Sequence, residues 1–233
     1  MSKLDFRHVV AGPRQFEALA PLISVSRCSR GQLIYRQGEA SNRWFWIMLG
    51  TARRSIIRSD GRRQIVDLLL SGDCFGFTNG AEYEDSVEAV TKETYVAGCV
   101  RRDAEAVAEA NPQLAREIRR ATFEALSRLQ SQLIILGRIT ADEKVGAFLL
   151  EMAARLSSCS DARVALPVSR YDIADYLGLS VETVSRSLTH LKKRGVIKLF
   201  GPRSMGIVNR AALEGAERAA DCDRAGRACL SAA

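Results

Sequence analysis

The sequence predicts an α+β protein in three parts. These are a β-rich roll over residues 1–110, one long helix over 111–138, and a winged helix-turn-helix over 139–210. Three observations predict them. Between Gly31 and Val100, short apolar runs alternate with glycine-marked corners, the pattern of strands joined by tight turns. From Pro112 to Leu136 no glycine and no second proline interrupts the chain, and apolar residues recur three and four apart. From Val168 to Phe200 two short helices are written with a glycine turn between them.

Composition bounds the function before any motif does. A chain of 233 residues with 47% hydrophobic and 26% charged residues has the length and make-up for a substantial core. Its net charge of +7 favours an anionic partner. No run approaches the roughly 18 apolar residues of a membrane span, and Met1 to His8 carries no apolar signal region. A cytoplasmic protein without membrane partners is expected. The cysteines at 28, 74, 99, 159, 222 and 229 are scattered, with no C-x-x-C pair, so reduced thiols are expected rather than a zinc site. The sharper alternative is that Cys222 or Cys229, in a polar tail, is exposed and oxidisable.

Residues 1–22 read as a lead-in anchored by Phe16, Leu19 and Leu22. Strands follow at Leu33–Tyr35, Trp44–Met48, Ser55–Ile57, Ile65–Leu70 and Tyr95–Val100. Glycines at 31, 38, 50, 61, 72, 76 and 80 mark their corners, and Ser59-Asp60-Gly61 is a hairpin signal. Many short strands of this kind close on themselves as a sandwich or roll.

Asn111 followed by Pro112 is a strong helix start. The helix running to Leu136 is about 39 Å long at 1.5 Å per residue. Leu114, Ile118, Ala121, Ala125, Leu129, Leu133 and Leu136 form one seam, with Phe123, Leu126 and Ile134 beside it. Two apolar faces need two surfaces to cover them: the roll, and the same helix of a second subunit. The seam is the expected dimer interface, weighed against a long core helix in a monomer.

Residues 139–144 turn into an amphipathic helix over Val145–Leu156, followed by a polar loop and a short strand at Val164–Pro167. Ser169 and Asp172 then form a capping box, with Ile173, Ala174 and Leu177 on one face. Gly178 supplies the turn. Ser180 caps a second helix whose apolar stripe is Val184, Leu188 and Leu191, and which Gly195 ends. Gly195–Phe200 and Gly206–Val208 flank Gly201–Ser204 as a two-stranded wing, and the tail over 211–233 is expected to pack poorly.

Opposite the apolar stripe of the second helix stand Glu182, Ser185, Arg186 and Thr189. An arginine fork matches guanine O6 and N7, and a carboxylate accepts from cytosine N4. Between Arg186 and Arg203 there are six lysines or arginines and no acid, the composition of a face set against phosphates. The bland alternative is a solvated helical hairpin with a charged face.

Asp172 to Leu179, read DIADYLGL, followed by Val181 to Arg186, read VETVSR, resembles the DNA-reading signature of the CRP/FNR regulators. It is nearer to FNR and FixK than to the cyclic-AMP receptor protein, and residues 136–145 are similar to FixK proteins in particular. The resemblance runs roughly from Ile23 to Val208. It implies a cyclic-nucleotide-binding-like β-roll, a dimerisation helix and a winged helix-turn-helix in a homodimeric activator working with RNA polymerase. Glu182, Ser185 and Arg186 would read a TTGA half-site in double-stranded DNA, in low-oxygen or nitrogen metabolism. Arg170, Thr183, Thr189, Lys192 and Arg203 are the candidates for phosphate and other contacts.

The sequence also departs from the family. Nucleotide-binding members place Gly-Glu and then Arg-Ser in the roll, whereas here Gly76-Phe77-Thr78 and Glu84-Asp85-Ser86 stand there. An acid at the phosphate position repels that ligand, so cyclic-nucleotide control is not expected. No cysteine precedes Cys28, so the iron–sulfur cluster of FNR is not carried over, and no cofactor is expected. Some FixK proteins carry a redox-sensitive cysteine at the place of Ser185, a switch lacking here. The alternative function is a ligand-gated regulator whose roll binds a nucleotide, a metabolite or a haem held by His8. An enzyme is not expected, since the chain has no P-loop, no nucleophile elbow and only two histidines, His8 and His190.

Overall fold

Alternating buried and exposed side chains along short segments build the first half of the chain into paired sheets. The computed structural model describes residues 14–156 and 163–214. Its strands there are β1 (Ser24–Cys28), β2 (Leu33–Tyr35), β3 (Arg43–Leu49), β4 (Ala52–Ile57), β5 (Arg63–Leu69), β6 (Cys74–Phe75), β7 (Ser86–Ala89) and β8 (Thr94–Val100). They pair antiparallel in two four-stranded sheets, ordered β1-β8-β3-β6 and β2-β7-β4-β5. Tyr35, Ile47, Leu69, Phe75, Val87 and Val96 fill the core, with Tyr35 stacked on Tyr83 at 3.8 Å between ring centroids. The β4–β5 hairpin turns at 58–62, where the Arg58 N–H donates to the Arg62 carbonyl at 2.9 Å. Gly50 is needed between β3 and β4. Its φ is +92°, and a Cβ there would lie 2.6 Å from the Glu93 carbonyl oxygen.

β1, β6 and β7 go beyond the sequence reading. The first is mostly exposed and polar, the second is two residues long, and the third alternates over four residues only, with Val87 and Ala89 turned inward.

Outside the first sheet lie a 3-10 segment (Arg14–Leu22), α1 (Arg101–Ala110) and α2 (Pro112–Leu136). Phe16 and Leu19 are buried there with Trp46, Cys74, Ala97 and Cys99, whereas Leu22, expected as an anchor, is exposed. The Asn111 side chain caps α2 by accepting the backbone N–H of Gln113 and of Leu114, each at 3.1 Å. Arg128 fastens the helix to the roll. It meets the Asp67 carboxylate at 3.2 Å and the Asp73 carboxylate at 3.3 Å, and donates to the Cys74 carbonyl at 3.1 Å.

The expected dimer seam needs correcting at its N-terminal end. Leu114 and Ala121 belong to this same core, with Ile118 packed against it. Leu114 and Ala121, buried in their own unit, have no surface left for a partner, whereas Ile118 is half-buried.

The chain divides into two compact units, 1–132 and 133–233. The second holds α3 (Ala141–Leu156), β9 (Val164–Ala165), α4 (Arg170–Leu177), α5 (Val181–Lys193), β10 (Ile197–Gly201), β11 (Ser204–Ile207) and α6 (Arg210–Glu214). α3 begins before Val145, because Thr140 and Glu143 form a capping pair: the Glu143 N–H donates to Thr140 Oγ1, and Glu143 accepts the Thr140 N–H. Phe148 packs on Tyr176, and Val184, Leu188 and Leu191 are buried as expected. The wing is an antiparallel sheet ordered β10-β11-β9. The start of the tail also needs correcting, since Leu213 of α6 is buried and closes on Gly146, where a Cβ would meet it at 3.0 Å. The rest of the tail, with Cys222 and Cys229, lies outside the described residues, as do His8 and Cys159. Cys28, Cys74 and Cys99 are buried free thiols, and burial pushes the Cys74 thiol up to about 12.

Candidate functional site

α4 and α5 are set by local chemistry. The Ser169 hydroxyl accepts the Asp172 N–H at 3.2 Å and Asp172 accepts the Ser169 N–H at 2.9 Å, completing the capping box. Gly178 then takes the left-handed conformation at φ +64°, and the Ser180 hydroxyl accepts the Thr183 N–H at 3.1 Å to open α5. With its apolar stripe buried, α5 turns Glu182, Arg186, Thr189 and Lys192 out to solvent, and leaves Thr183 and Ser185 half-buried.

The exposed polar groups are tied to one another. Thr183 Oγ1 lies 2.9 Å from Ser180 Oγ and receives Arg186 at 3.4 Å. The Glu182 carboxyl is held below the usual carboxylate range by its own backbone N–H, by Ser180 and by the Arg186 guanidinium. It therefore stays ionised and acts only as an acceptor. Arg170, at the first position of α4, donates to Ser185 Oγ at 3.2 Å, which brings a candidate phosphate contact onto a candidate base reader. Arg203 sits exposed in the turn between β10 and β11, where its carbonyl accepts the Leu166 N–H at 2.7 Å.

Further groups gather at this face beyond the sequence reading. Ser185, Arg186, Thr189, His190 and Lys193 line a hollow of about 390 Å³. His190 is bonded through Nδ1 to Asp142 of α3. On the wing, Phe200 lies under two cations: the Arg163 guanidinium at 4.1 Å and the Lys198 ammonium at 5.5 Å from the ring centroid. Lys198 and Phe200, two apart in a strand, share a face, and that spacing was the available signal. Arg163 belongs to it only through the fold.

Along α2 the seam residues differ. Ala125, Leu129 and Leu136 are half-buried and Leu133 is 68% exposed. The large apolar side chains that α2 leaves to solvent are Phe123, Leu126, Leu133 and Ile134.

The roll encloses a cavity of about 420 Å³ whose walls include Tyr35, Arg54, Gly76, Phe77, Glu84 and Asp85. Asp85 occupies it with its own partners: it accepts the Tyr35 hydroxyl at 2.8 Å and lies 3.5 Å from Arg54 Nε. Burial raises the Asp85 carboxyl above its ordinary value, against the opposing pull of Arg54. Among the described residues no helix is long and apolar enough to cross a membrane.

The chain matches the model of a Crp-like helix-turn-helix domain over residues 143–216 and that of a cyclic nucleotide-binding domain over 25–111. It is 37% identical to the nitrogen fixation regulation protein FixK of Azorhizobium caulinodans, over 86% of this chain and 82% of that one. To the FixK of Rhizobium meliloti it is 36% identical, over 88% of each. The structure of FixK2 from Bradyrhizobium japonicum superposes with a TM-score of 0.76 at 36% identity, covering 83% of this chain and 96% of that one.

Proposed function

Since the chain belongs to the CRP/FNR family of transcription regulators and carries its DNA-binding helix-turn-helix, we propose that it acts as a homodimeric activator reading a TTGA-like inverted repeat. A palindromic site matches a twofold protein, with one α5 in each half-site's major groove. Glu182, Ser185 and Arg186 read bases; Thr183, Thr189, Lys192 and Arg203 position the helix against the backbone. RNA polymerase is the partner of the bound dimer. The FixK names of its relatives support a role in nitrogen or low-oxygen metabolism.

One observation carries this reading. The α5 face pairs an ionised, acceptor-only carboxylate at Glu182 with the exposed guanidinium of Arg186 one turn on, in an otherwise basic surround. A carboxylate turned toward phosphates is repelled, so its place there is explained by a base it reads.

Control by a cyclic nucleotide is not part of the proposal. In the roll cavity Asp85 already engages Arg54, and with Glu84 beside it two carboxylates face that one guanidinium, which leaves an anionic cyclic phosphate without a free cation among the described residues there. A ligand of another kind is the second reading, favoured by the volume that the cavity retains.

The test is binding of purified protein, without additives, to a duplex bearing TTGA–N6–TCAA, at stated salt. Tight binding is expected to weaken when the guanine is changed. Arg186→Ala is expected to lose about 1–3 kcal/mol of discrimination at that base pair. Binding indifferent to sequence refutes the assignment of the reading face. Binding that appears only when cyclic AMP is added refutes the ligand-independent part.

A further inference from the structure

What a hydroxyl can read depends on which of its hydrogen bonds are already made. On α5, Thr189 Oγ1 donates to the Ser185 carbonyl at 2.9 Å, so its proton is used within the helix. Thr183 Oγ1 is shared between Ser180 and Arg186. Ser185 differs from both. Its oxygen accepts from Arg170 Nη1 at 3.2 Å, and among the described residues its own proton is given to no acceptor. That proton is left for whatever enters the hollow that Ser185 helps to line.

Arg170 is well placed to impose this. It follows Ser169 directly, so the capping box that fixes the start of α4 also fixes its backbone. Ser185 lies in the second turn of α5, across the glycine turn. The bond therefore joins two helices at anchored points, and Arg170 is itself half-buried. A cation at hydrogen-bond distance occupies one lone pair of the oxygen and polarises the O–H. The hydroxyl becomes a stronger donor and a poorer acceptor. Left to rotate, a serine hydroxyl accepts as readily as it donates and discriminates little.

The geometry points to Arg170 as a positioning residue for sequence reading. Its guanidinium holds the Ser185 hydroxyl as a donor, so Ser185 selects a base that presents an acceptor edge in the major groove. Thymine O4, adenine N7, guanine N7 and guanine O6 satisfy it; the amino group of cytosine N4 does not. This rests on the DNA-reading function above and gives Arg170 a task other than phosphate contact.

A double-mutant cycle tests it. Wild type, Arg170→Met, Ser185→Ala and the double variant are each titrated against TTGA–N6–TCAA and against duplexes altered symmetrically at one half-site position at a time. The titrations are repeated over a salt series. Each single variant is expected to lose about threefold to tenfold discrimination at the same one position. The double variant is expected to lose no more than either single one. The salt slope of Arg170→Met is expected to change by much less than the roughly 1.8 that two lost phosphate contacts, one in each subunit, would remove.

Equal weakening on every duplex with a shallower salt slope makes Arg170 a phosphate contact and overturns the proposal. Additive losses, losses at different positions, or unchanged discrimination overturn it as well. Should Arg170→Met fail to fold by thermal unfolding, Arg170→Gln takes its place under the same criteria. Wild type that binds all duplexes alike overturns the DNA-reading function and this proposal together. A discriminating wild type with a flat Arg170 result overturns the proposal alone.

Discussion

Replacing Phe123 and Ile134 of α2 together by serine tests the exposed face of α2 as the interface of the proposed homodimer. The large side chains that α2 exposes are Phe123 at 60%, Leu126 at 48%, Leu133 at 68% and Ile134 at 66%. Full burial of such a side chain is worth about 1.5–3 kcal/mol, so covering roughly three-fifths of one gives about 1–2 kcal/mol. The stripe then contributes about 4–7 kcal/mol per copy and about 8–14 kcal/mol for a pair. Association costs about 4–15 kcal/mol, so the margin is narrow. Removing half the stripe from both copies forfeits about 4–7 kcal/mol, which weakens a dimer by about a thousandfold or more.

Sedimentation velocity over a concentration series measures this. Wild type is expected to be dimeric at micromolar concentrations and the double variant monomeric there. Leu114→Ala is the contrast. It is expected to lose about 2–5 kcal/mol of folding stability, because Leu114 is fully buried in its own unit, and to leave the dimer constant unchanged. A Phe123/Ile134 variant that dimerises within about tenfold of wild type refutes the exposed stripe as the interface. Dissociation in Leu114→Ala would instead restore the N-terminal seam.

Three more outcomes follow from the first unit. Arg128→Met, which removes the cation facing the buried Asp67 carboxylate and the half-buried Asp73 carboxylate, is expected to cost about 3–5 kcal/mol in denaturant unfolding; a loss below about 1 kcal/mol would show that the cluster does not pin α2. Gly50→Ala is expected to be worse than Gly61→Ala, although both have positive φ, because a Cβ at Gly50 strikes the Glu93 carbonyl and one at Gly61 meets nothing within 4 Å. Equal melting temperatures for the two would discredit the close approach. Asp85 has a folded pKa above its ordinary 3.8, so its contribution to stability is fully present below that value and is lost as pH rises through the folded pKa. Relative to Asp85→Asn, wild-type stability should therefore fall as pH rises from about 4 and then level off. A difference that grows over this range has the wrong sign for a desolvated acid.

Where interactions are short in sequence, the fold is legible from it. Ser169 and Asp172, Gly178, and Ser180 lie within a dozen residues, and each controls only its own helix end. The same logic reaches the start of α3: Thr140-x-x-Glu143 is a capping signature that a reading begun at Val145 overlooks. β6 and β7 are a different case. They exist because β3, β2 and β4 present unpaired backbone beside them, which their own few residues do not announce. For α2, periodicity shows that two faces are apolar and stays silent on which one the roll takes.

The sequence by itself determined the class of fold, the two helices of the reading motif, and the outward set of Glu182, Arg186 and Thr189, since helical period and capping act over three or four residues. Tertiary structure alone decided which face of α2 is buried, that Asp85 meets Arg54 and Tyr35 inside the roll, and that Arg170 reaches Ser185. Those partners stand 15 or more residues apart along the chain. Their meeting depends on how closely packed cores place whole elements against one another, and no local propensity encodes that distance.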